Sequence, residues 1–150
     1  MAEESKRYFA PHEVEALLPE LTETMGRLMD IHGELGEVRA ALHQEQHRIM
    51  LAGGGILDQE TWREGTRRLE ELTRQIQEGI AAIVKLGGVP KDLGLGLVDF
   101  PSLLNDQEVN LCWRLGETTI DFWHGLDEGY AGRKSIDQDF LQRHKGGKPN

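Results

Sequence analysis

Residues 96–133 read GLVDFPSLLNDQEVNLCWRLGETTIDFWHGLDEGYAGR, and this stretch decides the fold class. Apolar and polar residues alternate in two of its runs, 108–113 and 119–124, as they do in half-buried β-strands. A shorter run at 97–100 precedes Pro101, which we expect to end it. The pair Asn105-Asp106 is typical of a turn. The stretch therefore predicts a small three-stranded antiparallel sheet.

The pairing of the last two strands can be predicted from their apolar pattern. We expect a two-residue turn at Gly116-Glu117, because it brings apolar residues together on one face. The facing pairs are then Trp113 with Ile120, Leu111 with Phe122, and Val109 with His124. In this register Cys112 lies on the other, mixed face, opposite to His124. The apolar face is expected to pack on helices, since so small a sheet is marginal alone.

Upstream of the sheet, apolar residues repeat every seven positions in two long segments. The first repeat contains Val14, Leu21, Leu28, Leu35, Leu42 and Ile49, and the second contains Trp62, Leu69, Ile76 and Ile83. Such repeats are typical of long helices that pack on other helices. Pro19 removes one backbone hydrogen bond near the start of the first helix, so we expect a kink or a break there.

The two predicted helices are joined by a short loop. It contains Gly53-Gly54-Gly55, and Asp58 is a suitable N-cap for the second helix. A short loop requires the helices to run antiparallel, as a helical hairpin. Gly65 and Gly79 lie beside the second apolar repeat, where they allow close approach of the two backbones.

We therefore predict an α+β protein: a long antiparallel helical hairpin with a kinked first helix, and a three-stranded antiparallel sheet near one end. The chain forms a single domain over residues 1–150. The hairpin occupies 8–88, the β unit with its loops occupies 89–134, and a short helix and flexible tail occupy 135–150. The apolar stripe of the first helix is wider than one partner helix needs, so we predict a homodimer formed through the helices.

Composition restricts the class of partner and the compartment. The formal net charge is −9, which argues against nucleic-acid and anionic-membrane binding because both require clustered positive charge. The single cysteine forms no intramolecular disulfide and fits a reducing compartment. The first residues, MAEESKRYF, lack the apolar core of a signal peptide. We expect a cytoplasmic protein.

Several short motifs resemble a known bacterial family. They are YF at 8–9, LLP at 17–19, KD at 91–92, GLVDFP at 96–101, LCWRLGE at 111–117, WH at 123–124 and GYAGR at 129–133. The chain resembles domain of unknown function 2203 over residues 8 to about 134. The resemblance implies a small prokaryotic protein with a helical hairpin and a short antiparallel sheet. It implies no activity, so it supplies no mechanism.

The candidate site is a group of ionisable residues in the β unit, which contains Asp99, Cys112, Glu117, His124 and Asp127, with Arg133 nearby. A divalent metal prefers imidazole, carboxylate or thiolate ligands in one small volume. The predicted metal ligands are Asp99, Glu117, His124 and Asp127, and the predicted ligand-binding residues are Asp99, Glu117, Trp123, His124 and Arg133. The alternative is an internal network in which arginines pair with carboxylates and His124 donates to one of them. Trp123 has a similar alternative, because it can simply pack the sheet on the helices.

Function follows from these patterns only in outline. A reactive cysteine needs a neighbour that lowers its pKa, and the predicted register keeps Cys112 apart from His124. We therefore favour a homo-oligomeric binding or interaction module that presents a small polar site on its β unit. The alternative is a metal-dependent or small-molecule enzyme that uses Asp99, Glu117, His124 and Arg133. The substrate, the ligand and the identity of any cofactor stay open.

Overall fold

The computed structural model describes residues 6–53 and 59–145. Its elements, in chain order, are α1 (Pro11–Glu15), α2 (Leu18–Leu51), α3 (Gln59–Leu86), β1 (Val89–Asp92), β2 (Leu97–Leu104), β3 (Gln107–Arg114), β4 (Phe122–Gly125), a 3-10 helix (Tyr130–Gly132), β5 (Lys134–Ser135), α4 (Gln138–Arg143) and β6 (His144–Lys145). The predicted α+β class is confirmed. The predicted N-cap Asp58 and most of the glycine loop lie outside the described residues, as do the last five residues of the expected tail.

The helical hairpin is antiparallel, and two glycines of α3 receive leucines of α2. A Cβ at Gly65 would lie 2.7 Å from Leu42, and a Cβ at Gly79 would collide with Leu28. Because the positions on α2 rise from 28 to 42 as those on α3 fall from 79 to 65, the helices run in opposite directions. The two glycines therefore act as notches that let the helices approach closely.

Pro19 splits the first predicted helix instead of kinking it. The chain turns at Ala16 and Leu17, between α1 and α2, and Pro19 then lies in the first turn of α2. A proline is tolerated there because the first-turn N–H groups have no partner within the helix. The short α1 packs its buried Val14 into the core beside the sheet.

The sheet has more strands than the three predicted. Its order is β1-β2-β3-β4-β5, and β6 pairs with β2 on the edge that β1 also uses. The predicted turn at Asn105-Asp106 is confirmed, and both residues have positive φ, 52° and 64°, as a two-residue type I′ hairpin requires. The expected end of the first strand at Pro101 is wrong, because β2 continues to Leu104.

Pro101 is accommodated because its backbone faces away from β3. The carbonyl oxygen of Pro101 accepts a hydrogen bond of 2.8 Å from the N–H of Phe9, on the edge between β1 and β6. In an antiparallel strand the backbone N and O of one residue point to the same side. Because the Pro101 carbonyl points away from β3, an N–H at this position would form no hydrogen bond with β3, and proline is tolerated. The hydroxyl of Ser102 donates to the Phe9 carbonyl at 2.6 Å and fastens the same segment.

The predicted register between the last two strands is wrong by one residue. Leu111 lies opposite Trp123 and Cys112 lies opposite Phe122. The turn uses Leu115 and Gly116 as its central residues, with φ of 105° at Gly116, and the connection then continues to residue 121 before β4 begins. A one-residue slip moves every side chain of a strand to the other face, so His124 joins Cys112 on one face.

The two faces of β2, β3 and β4 differ in chemistry. The inner face packs on the helices and the amino-terminal segment, and its side chains are Val98, Phe100, Leu111 and Trp113, all fully buried. Phe9 meets Phe100 edge to face, with ring centroids 5.2 Å apart. The outer face carries Asp99, Cys112 and His124. None of the helices among the described residues combines the length and the hydropathy needed to cross a membrane.

Candidate functional site

Strand pairing brings three ligand-type side chains together on the outer face. Asp99 lies opposite Cys112, and Asn110 lies opposite His124, so Asp99, Cys112 and His124 project from adjacent strands on the same side. One carboxylate oxygen, the thiol sulfur and one imidazole nitrogen lie within 4.8 Å of one another. This group is a buried cluster of three different ligand chemistries, and we call it the outer-face cluster.

The outer-face cluster is as buried as the apolar core. Asp99 is 3% exposed, Cys112 2% and His124 3%. A cavity of about 230 Å³ adjoins the cluster, and the segment that follows β4 forms part of its wall. Its other polar lining residues are Lys91, Asn110, Glu128 and Tyr130. The cluster is therefore shielded from bulk water and faces a space large enough for a small ligand.

Hydrogen bonds fix both nitrogens of the His124 ring. Nδ1 lies 2.9 Å from the carbonyl oxygen of Gly125, and Nε2 lies 3.1 Å from Oδ1 of Asp99. A carbonyl oxygen only accepts, so Nδ1 carries a hydrogen. The Nε2–Oδ1 contact joins His124 to Asp99 across the sheet, so both nitrogens of the ring are held by the protein.

The thiol of Cys112 is held in its protonated form. Burial, followed by the negative charge of Asp99, raises the pKa of Cys112 to about 11. The predicted separation of Cys112 and His124 on opposite faces is wrong, because the register places them on one face. A thiol with so high a pKa is nonetheless a poor nucleophile near neutral pH, since the thiolate is the reactive form.

Glu117 and Arg133 form a separate pair beside the cluster. Nη2 of Arg133 donates to both carboxylate oxygens of Glu117, at 2.7 and 2.9 Å, and to the carbonyl oxygen of Cys112 at 3.1 Å. Glu117 also accepts the backbone N–H of Arg114 at 2.6 Å. This arrangement is the internal network that the sequence left as an alternative, and it keeps Glu117 away from His124.

Arg133 also holds the segment after β4 against the outer face. Its guanidinium lies 4.1 Å from the centre of the Phe122 ring and 4.8 Å from that of Tyr130. The Tyr130 hydroxyl accepts a hydrogen bond of 3.0 Å from Arg114. Cation–π contacts and the Glu117 ion pair together position Tyr130 at the cavity wall. Arg133 is therefore a positioning residue for the cavity.

Two further predicted site residues lie elsewhere. Asp127 is exposed in the turn after β4 and is not part of the outer-face cluster. Trp123 lies on the same face as Leu111, away from His124, and its ring packs 5.5 Å from that of Phe140. Of the predicted metal ligands, the structure thus brings Asp99 and His124 together, and Cys112 completes the group in place of Glu117 and Asp127.

The sequence contained a signal for Cys112 as a site residue. A two-residue turn at Asn105-Asp106 fixes the β2–β3 register, and in that register Asp99 and Cys112 are directly opposite. The predicted turn is confirmed, and the pairing of Asp99 with Cys112 is its direct consequence. The donor set itself, one thiolate, one imidazole and one carboxylate, is suited to a borderline-soft transition metal such as Zn²⁺.

Comparison with family models identifies a family to which the chain is similar. The family model described as Uncharacterized conserved protein (DUF2203) matches residues 7–136, which include the outer-face cluster and the Glu117–Arg133 pair. The comparison with curated proteins finds no match. The comparison with solved structures finds none either.

Proposed function

The chain belongs to the family described as Uncharacterized conserved protein (DUF2203), and we propose that it is a homo-oligomeric binding module with a small polar site on its β unit. The family description states no activity. The observation that carries the proposal is the convergence of Asp99, Cys112 and His124, all buried, beside a cavity of about 230 Å³. Small-ligand sites combine a concavity with a few convergent polar groups in this way.

The cost of burying these groups supports a binding role. Moving a polar or ionisable side chain out of water is unfavourable. Hydrogen bonds and ion pairs inside the protein offset only part of this desolvation free energy. Apolar residues of similar size would fill the outer face of the sheet at lower cost. A site that retains Asp99 and His124 in such surroundings is therefore best explained by a ligand that they hold.

The contacts of the site favour binding over catalysis. Both ring nitrogens of His124 already have partners, so neither is directed at the cavity as a free general base. The thiol of Cys112 is protonated at neutral pH. Glu117 and Arg133 pair with each other and leave little net charge for a substrate, although Nε of Arg133 is buried with no hydrogen-bond partner among the described residues. A bound ligand would therefore have to replace one of these existing contacts.

The helical hairpin supports the proposed assembly. A groove of about 480 Å³ lies between the distal parts of α2 and α3, and apolar side chains form most of its floor. Its lining residues include Val38, Ala41, Leu42, Trp62 and Gly65, with Glu45, Glu64 and Arg68 at its edges. A two-fold contact places the same surface patch of two copies face to face. Because this patch carries charges of both signs, the acidic residues of one copy can pair with the basic residue of the other.

The assembly is tested with two alanines that are neighbours on α2. Both alanines are exposed, but Ala41 lines the groove and Ala40 does not. We expect light scattering to give about twice the chain mass of 16.9 kDa for the wild type, and the monomer mass for Ala41→Glu. Ala40→Glu, the matched control, keeps the wild-type mass. A wild-type monomer at high protein concentration, or an unchanged mass for Ala41→Glu, contradicts the proposed assembly.

A metal-dependent or small-molecule enzyme that uses Asp99, Glu117, His124 and Arg133 is the second candidate. The observation that favours it is the position of Arg133, whose contact with Tyr130 places it beside the cavity that Asp99 and His124 line. Hydrolysis of an activated ester or phosphoester by metal-loaded protein separates the two candidates. Turnover by the wild type that disappears in both His124→Gln and Arg133→Lys supports the enzyme. No turnover by the wild type supports the binding module.

A further inference from the structure

We propose that the outer-face cluster holds one Zn²⁺ ion through Sγ of Cys112, Nε2 of His124 and a carboxylate oxygen of Asp99, with a fourth position open to the adjoining cavity. The inference rests on the proposed function, since it names the ligand that the small polar site takes. It is independent of the proposed dimer, because all three ligands come from one chain.

The geometry of the three ligand atoms suits a tetrahedral ion. They lie within 4.8 Å of one another, and each belongs to a different strand of one sheet. Around Zn²⁺, with bonds of about 2.0–2.3 Å, ligand atoms are about 3.3–3.6 Å apart. Nε2 of His124 and Oδ1 of Asp99, which are 3.1 Å apart, already lie near this spacing, so the remaining separations need to close by at most about 1 Å. Side-chain torsions can supply this movement without a change in strand pairing.

The surroundings of His124 are those of a metal ligand. The bond from Nδ1–H to the Gly125 carbonyl oxygen, at 2.9 Å, fixes the ring orientation and directs Nε2 toward Asp99 and Cys112. Metal-binding histidines commonly donate their other ring N–H to a backbone carbonyl or a carboxylate, which sets the tautomer and strengthens the ligand. His124 therefore requires no reorientation to bind an ion.

The charges of the three ligands match a divalent ion. When bound to a metal, the carboxylate of Asp99 and the thiolate of Cys112 each contribute one negative charge, and the imidazole of His124 is neutral. A divalent ion held by these three ligands therefore leaves the buried site with no net charge. A monovalent ion would leave the site negative.

The fourth ligand must come from outside the cluster. Three protein ligands with one open position are typical of zinc sites that bind water or an exchangeable ligand, whereas structural zinc sites use four protein ligands. Lys91 and Tyr130 line the adjoining cavity and supply a cation and a hydroxyl, and Glu128, which also lines it, is paired with Lys134. The open position therefore suits water or a small anion that these two side chains also contact.

Cobalt(II) provides the direct test, because a thiolate–Co²⁺ bond gives an intense near-ultraviolet charge-transfer band. The protein is the full chain without a histidine tag, stripped of metal with a chelator. We expect one Co²⁺ per chain, the charge-transfer band, and displacement of Co²⁺ by one Zn²⁺. The chain has one cysteine, so the band reports Cys112 alone. Absence of the band in the wild type overturns the inference.

Two variants identify the ligands. Cys112→Ser is expected to lose the band and to bind Zn²⁺ at least tenfold more weakly. Asp127→Asn is the matched control: it removes an exposed carboxylate from the same part of the chain and should leave the affinity unchanged. Unchanged affinity in Cys112→Ser, or a tenfold loss in Asp127→Asn, contradicts the assigned ligand set.

A third measurement needs no variant, so it stands even if Cys112→Ser does not fold. Zn²⁺ is expected to slow alkylation of Cys112 at least tenfold in the wild type, and an unchanged rate counts against the site. The two proposals also fail separately. A dimer without stoichiometric metal refutes the zinc site alone, and a monomer that binds one Zn²⁺ refutes the proposed assembly alone.

Discussion

At the centre of the sheet, the side chains on its two faces are buried to a similar degree and differ in chemistry. On the inner face, Phe100 and Trp113 are fully buried among apolar side chains of the helices and the amino-terminal segment. On the outer face, Asp99, Cys112 and His124 are at most 3% exposed. The alternation of side chains along each strand separates the two sets with no change in backbone geometry.

The contrast separates the part of the sheet that stabilises the fold from the part that lowers its stability. Burial of apolar surface stabilises a protein by about 25 cal/mol per Å². Burial of ionisable groups is unfavourable, even when they are hydrogen-bonded to one another. The inner face therefore accounts for the stability of the β unit, and the outer face requires another explanation, which is the bound ion proposed above. Three experiments test this contrast.

The largest effect is expected at the inner face, from Trp113→Ala. Trp113 is fully buried and its indole N–H donates to the Glu117 carbonyl oxygen at 3.0 Å. Removal of such a ring leaves a cavity and an unpaired acceptor, so the free energy of unfolding should fall by about 3–5 kcal/mol. Urea denaturation followed by circular dichroism measures this change.

The matched control for that experiment is Trp62→Ala, at a half-exposed tryptophan on α3. Its ring lines the groove of the hairpin and lies outside the buried core, so we expect a loss of about 1–2 kcal/mol in the monomer. Equal losses for the two variants would mean that the inner face contributes no more to stability than the surface of the hairpin.

The outer face is tested by changing the Asp99–His124 pair singly and together. Asp99→Val leaves Nε2 of His124 buried without a partner, and we expect a loss of about 2–4 kcal/mol. The double variant Asp99→Val with His124→Leu removes both polar groups. We expect its metal-free form to be as stable as the wild type or more so, because apolar replacements of buried ion pairs are often stabilising.

Thermal or urea unfolding of metal-free protein gives both values, and a Zn²⁺ titration completes the comparison. Wild-type protein should be stabilised by Zn²⁺, whereas the double variant should not respond. A double variant that is less stable than Asp99→Val alone would refute the separation of roles, since the polar pair would then stabilise the fold. In that case the outer face would be a second structural core.

Much of the fold could be predicted because local chemistry determines it. The seven-residue repeats specify two helices, and Gly65 and Gly79 mark where leucines of α2 enter. Asn105 and Asp106 adopt positive φ with little strain, so the β2–β3 hairpin and its register follow from two residues. The pairing of Asp99 with Cys112 follows from that same turn.

The remainder depends on contacts between distant segments. The connection after β3 is held by bonds that no local pattern indicates: the N–H of Ile120 donates to the Glu15 carboxylate at 2.8 Å, and the N–H of Ile136 donates to the Asp121 carbonyl oxygen at 2.8 Å. With the connection held in this way, β4 lies one residue away from the register that apolar pairing predicts. Because His124 lies on β4, that single residue decides whether it joins Cys112 or faces the helices.

The smallest effect is a pH dependence that only the outer face should show. The pKa of Cys112 is about 11 in the folded protein, and that of an unfolded cysteine is about 8.5–9. As the pH rises the unfolded chain loses the thiol proton first, so folding stability is complete below about pH 8 and falls between about pH 9 and 11. For metal-free protein we expect a loss of about 2 kcal/mol at pH 10.5.

Cys112→Ser is the control for this experiment, because serine does not titrate in that range while every other ionisable group is retained. The difference in unfolding free energy between wild type and variant, measured from pH 7 to 10.5, isolates the thiol from the lysines and tyrosines. Parallel curves up to pH 10.5 would mean that the thiolate is well solvated in the folded protein. The Cys112 side of the sheet would then be accessible to water, and the two faces would not be equally buried in solution.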